Sequence, residues 1–86
     1  GMYKILLVDD EEIERIVLKK FLSKLEDVAM IEEADGGNSA LVKFEKLDPD
    51  IVILDIKMPG VDGIEVAKRI KRMKRECVII FLTAYV

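Results

Sequence analysis

Three aspartates stand where short apolar runs stop. Asp9 and Asp10 follow the run Ile5 to Val8, Asp55 follows Ile51 to Leu54, and Thr83 follows Val78 to Leu82 in the same way. Carboxylates brought together repel one another, and a divalent cation relieves that conflict. The chain has no histidine and a single cysteine, Cys77. An all-oxygen ligand set of this kind favours Mg2+ or Mn2+ over zinc. A carboxylate beside such a cation can act as a nucleophile on phosphorus and become an aspartyl phosphate. The same inventory excludes Ser-His-Asp catalysis, a Cys/His zinc site and an internal disulfide.

For these groups to meet, the apolar runs must be neighbouring strands. The chain has 86 residues, enough for one domain, 1–86, with Gly1 read as a tag remnant. Apolar residues make up 51% and charged residues 36%, a globular mixture. The net charge of −3 argues against nucleic-acid binding, and no apolar run is long enough to span a membrane. No secretory signal is visible, which points to a cytoplasmic setting.

The elements alternate. Ile5–Val8 is a buried-strand signal, followed by Ile13, Ile16, Val17, Phe21 and Leu25 at helical spacing, a helix of roughly four turns. Val28–Ala34 reads as an edge strand because Glu32 and Glu33 interrupt it. Gly36 to Ser39 opens a second helix carrying Ala40, Leu41, Phe44 and Leu47, stopped at Asp48-Pro49. Ile51–Leu54 is the third strand, and Met58-Pro59-Gly60 is loop chemistry. Asp62 with Glu65 suggests a capping box for a third helix that buries Ile64, Ala67, Ile70 and Met73. Val78–Leu82 is the fourth strand. A β-α-β-α-β-α-β order predicts right-handed crossovers and a parallel sheet covered on both faces. The strand ends then put Asp9, Asp10, Asp55 and Thr83 on one rim, where ligands bind in such folds.

These residues carry a resemblance. Lys4 to Asp10 (KILLVDD), Ile51 to Gly60 (IVILDIKMPG) with Asp62-Gly63, and Phe81 to Ala84 (FLTA) resemble the receiver domain of two-component response regulators. The resemblance implies a flavodoxin-like parallel sheet of order 2-1-3-4. It implies that Asp55 accepts phosphate from a histidine kinase or phosphotransfer protein. It assigns Mg2+, or Mn2+, to Asp10, Asp55 and the backbone carbonyl of Lys57, with Asp9 assisting through water. Thr83 would contact the phosphoryl group and act as the switch, and Lys57 and Tyr85 match positions that tune dephosphorylation. The family continues with a helix, a fifth strand bearing an essential lysine, and a last helix. On this reading the chain is a receiver truncated after its fourth strand, its output domain absent.

Blander readings exist for each part. Asp9-Asp10 could simply cap a helix, Asp55 could be a solvated loop acid, and Thr83 could reflect strand propensity. The basic residues from Lys68 to Arg75 read as a solvated helix face and Cys77 as an inert small hydrophobe. An alternative function is a receiver-like interaction module without phosphotransfer. A dehalogenase-type phosphatase ranks below both, because it needs Asp-x-Asp after the first strand and here the acids are adjacent. Val78–Leu82 left as an unprotected edge predicts a homodimer or a segment-exchanged assembly.

Overall fold

The computed structural model describes residues 2–58 and 61–82. Nine elements follow in order: β1 (Tyr3–Val8), α1 (Glu12–Leu22), β2 (Val28–Ala34), α2 (Gly37–Leu47), β3 (Ile51–Asp55), β4 (Lys57–Met58), β5 (Val61–Asp62), α3 (Gly63–Met73) and β6 (Val78–Leu82). The main sheet has the order β2-β1-β3-β6 with all pairs parallel. Counting its own strands, that is the order 2-1-3-4 implied by the resemblance, and the parallel pairing is the one expected from the alternating pattern. The interior strands β1 and β3 both carry unbroken apolar runs, and so does β6, which takes the edge beside β3. β2, with its two glutamates, takes an edge, where Glu33 pairs with Arg15 and Lys19 and Glu32 with Lys43.

Side chains alternate across the sheet and fill two cores. On one face Leu6, Val8, Val52 and Leu54 pack with Ala40 and Phe44 of α2 and with Val66, Ala67 and Ile70 of α3. On the other, Ile5, Leu7 and Ile53 meet Leu18 and Leu22 of α1. Cys77 is buried in the first core, and burial pushes its thiol pKa up.

Three expectations about the helices change. The first helix is eleven residues long, and Ile13, Ile16, Val17, Phe21 and Leu25 are exposed rather than buried. Leu18 and Leu22 face the sheet instead, because α1 carries two overlapping apolar stripes and only one can meet it. In α3 the buried set is Gly63, Val66, Ala67 and Ile70, while Ile64 and Met73 are exposed. That set is a single i, i+3, i+4, i+7 face. Glu65 points its carboxylate at Arg69 and Arg72. The stretch read as loop contains a small hairpin, with Lys57 opposite Asp62 and Met58 opposite Val61.

α2 ends on Asp48 in the left-handed conformation (φ 51°), its N–H bonded to the Phe44 carbonyl at 2.9 Å. Lys4 and Lys74 donate to the carbonyls of Leu47 and Pro49 at that same rim of the sheet. The lysines there satisfy helix-end acceptors. The opposite rim is the one left for chemistry.

Candidate functional site

In the parallel register Val8 pairs with Leu54, so the residues that follow, Asp9 and Asp55, leave adjacent strands side by side. Strand spacing of about 5 Å puts their carboxylates within reach of one another. Asp9 is fully buried, at 0% exposure, although its side chain is a carboxyl group. Its Oδ1 accepts the Glu11 N–H at 2.9 Å, whereas Oδ2 is buried without a hydrogen-bond partner among the described residues. Asp55 is half-buried at the end of β3, and its Oδ1 accepts the Lys57 N–H at 3.0 Å.

A third carboxylate completes the group. Oxygens of Asp9, Glu14 and Asp55 all lie within 4.8 Å of one another. None of the ion pairs among the described residues involves these three. Burial raises the Asp55 pKa most, the Lys57 N–H opposes that, and the negative charges of Asp9 and Asp10 add to it. Glu14 is exposed, yet its pKa is pushed up to about 7, chiefly by the Asp9 carboxylate beside it. The cost of holding these groups ionised without a cation is therefore visible on two of them.

The donor chemistry fits a hard divalent cation. Every candidate ligand is oxygen, and the orphaned Asp9 Oδ2 is the kind of atom a cation or its water shell would satisfy. Beside the group opens a cleft of about 400 Å3, bordered by Glu14 and Asp55 and, on its apolar side, by Ile13, Val17 and Leu82.

Asp10 stands exposed on the rim, outside the clustered oxygens, although its charge reaches Asp55. Lys57 opens β4 and meets Asp55 through its N–H. Thr83 and Tyr85 lie outside the described residues. Glu14, on α1, is not among the residues that the strand-end argument singles out. A signal existed: Glu14, Leu18 and Leu22 recur four residues apart, so the acid sits atop the stripe that meets the sheet.

α1 is pinned in this orientation by Arg15. Its Nη1 donates to the Asp9 carbonyl at 2.7 Å and its Nε pairs with Glu33 at 3.3 Å. Close packing fixes the other side of the site. A Cβ on Gly63 would lie 2.8 Å from the Asp55 carbonyl oxygen and 3.0 Å from Ile56 Cα, so only glycine lets α3 start against the end of β3.

Comparison with known proteins agrees with this architecture. The chain is 44% identical over 84 residues to the sensory transduction protein LytT of Bacillus anthracis, covering 98% of this chain and 34% of that protein. It thus spans about a third of the length of the curated relatives it matches. The response regulator TrrA of Thermotoga maritima, solved in complex with Mg2+ and BeF, superposes with a TM-score of 0.88 at 48% identity. That match covers 98% of this chain and 71% of that one. A structure of the histidine kinase ThkA in complex with TrrA matches at 47% identity and a TM-score of 0.86, covering 99% of this chain and 72% of that one. The family model described as the response regulator receiver domain matches residues 5–86, nearly the whole length, and the chain belongs to that family.

Proposed function

We propose that the chain is the phosphoacceptor module of a two-component response regulator, with Asp55 as the residue that is phosphorylated. The observation that carries this is the position of Asp55. It closes an interior strand, keeps Oδ1 on the Lys57 N–H, and borders an open cleft while facing two further carboxylates. Asp55 Oδ2 has no donor among the described residues and is the free nucleophilic oxygen. It attacks phosphorus, the bond from phosphorus to the donor nitrogen breaks, and the donor imidazole leaves with a proton. The Lys57 N–H orients the carboxylate. Asp9 and Glu11 hold the start of α1 against the site.

Asp9, Asp10, Asp55 and the Lys57 carbonyl would hold Mg2+, or Mn2+. When bound, that cation offsets the charge of the phosphoryl oxygens. Thr83 is the proposed phosphoryl contact and switch. The proposed donor is a cytoplasmic histidine kinase or phosphotransfer protein, a reading supported by the complex of the histidine kinase ThkA with the similar response regulator TrrA. No helix among the described residues is long and apolar enough to cross a membrane. The module itself is not an enzyme acting on a separate substrate. As an 86-residue polypeptide it is further proposed to self-associate through β6, which pairs on one side only among the described residues and exposes Val78, Ile80 and Phe81.

The deciding experiment is intact-mass analysis after incubation with acetyl phosphate and Mg2+. One phosphoryl group is expected on the wild type and none on Asp55→Asn. Retention of the label in that variant refutes the assignment.

A further inference from the structure

Building on that proposed function, we propose that Glu14 is a fourth carboxylate of the cation site, helping to hold the divalent ion before phosphorylation. Three observations converge. An oxygen of Glu14 lies within 4.8 Å of oxygens of both Asp9 and Asp55. Asp9 is fully buried, and its Oδ2 has no hydrogen-bond partner among the described residues, so the cluster contains an acceptor that needs an occupant. No lysine or arginine among the described residues forms an ion pair with any of the three.

The position is a built one. Glu14 shares the inward stripe of α1 with Leu18 and Leu22, both packed on the core under the sheet. Its neighbour Arg15 locks the first turn to the Asp9 carbonyl and to Glu33. Successive helix residues point about 100° apart. With Arg15 held toward β2, Glu14 is turned toward β3 and Asp55. The site therefore carries more negative charge than two strand-end acids supply, which favours a dication and opposes an incoming phosphoryl group.

Removing one unit charge about 5 Å from a dication in water-like surroundings lowers affinity by about tenfold. The test is Mn2+ binding to the purified protein, read by calorimetry and by the electron paramagnetic resonance signal of free Mn2+. Glu14→Gln is expected to weaken binding by about tenfold, whereas Glu12→Gln, an exposed acid on the same helix turn, is expected to change it less than about twofold. Circular dichroism checks that both variants stay folded. A change under twofold in Glu14→Gln overturns the inference, as does an equal loss in both variants. Absence of saturable Mn2+ binding in the wild type instead overturns the cation site itself, and this inference with it. Saturable wild-type binding that Asp55→Asn abolishes and Glu14→Gln leaves intact separates the two outcomes.

Discussion

Gly63→Ala tests whether the site depends on the contact between α3 and the end of β3. The added Cβ would stand 2.8 Å from the Asp55 carbonyl oxygen, 3.0 Å from Ile56 Cα and 3.2 Å from the Ile56 carbonyl oxygen. All three are backbone atoms, so no side chain can swing away. Either α3 retreats from the sheet or the Asp55–Ile56 segment moves. Forcing extra volume into a packed contact costs about 1–3 kcal/mol. Alanine is favoured over glycine inside a helix by up to about 1 kcal/mol, but Gly63 is the first helical residue and gains only part of that. The expected net loss is about 1–2 kcal/mol, or roughly 4–16 °C in Tm for a domain of this size. Chemical denaturation measures the first and scanning calorimetry the second. Because Asp55 is the residue displaced, Mn2+ affinity and acetyl phosphate labelling should fall along with stability. A variant as stable as the wild type, with unchanged labelling, would refute the close-approach reasoning. Loss of stability with intact labelling would mean that α3 yields and the Asp55 segment does not.

Two further outcomes are expected. The Glu14 carboxyl is raised from 4.5 to about 7 in the folded state, so its contribution to stability is full below pH 4.5 and is lost as pH rises through about 7. In metal-free buffer Glu14→Gln should therefore gain thermal stability relative to the wild type near neutral pH and match it in acid; a pH-independent difference in calorimetry refutes this. For self-association, Ile80→Lys, at an exposed position on β6, should shift sedimentation from an oligomer to a monomer, and a wild type that is monomeric at high concentration ends that proposal.

Much of the fold was legible because its signals are local. Unbroken apolar runs at Ile5–Val8 and Ile51–Leu54 mark strands covered on both faces, and the helices between them require parallel crossovers. Parallel strands end on one rim, so Asp9 and Asp55 could be placed on the same rim from spacing alone, whereas the adjacency of their strands came from the resemblance. The glutamates of β2 assigned it to an edge for a reason equally local. The hairpin of β4 and β5 was not legible, since its two-residue strands exist only through each other.

The sequence by itself determined that β2 lies at an edge, which rim collects the acids, and that a hard cation suits them. Only the tertiary structure decided which acids meet. Of the neighbours Asp9 and Asp10, one is buried and the other exposed, because consecutive residues leaving a strand point to different sides. Glu14 joins Asp9 and Asp55 because α1 sets Leu18 and Leu22, not Ile13, Val17 and Phe21, against the sheet. Periodicity states that a helix has apolar stripes. It does not state which stripe the sheet will cover, since that depends on the rotation of the helix about its axis. Here that rotation is fixed by Arg15, bonded to the Asp9 carbonyl and to Glu33 eighteen residues away, a contact that exists only once β1, α1 and β2 have packed.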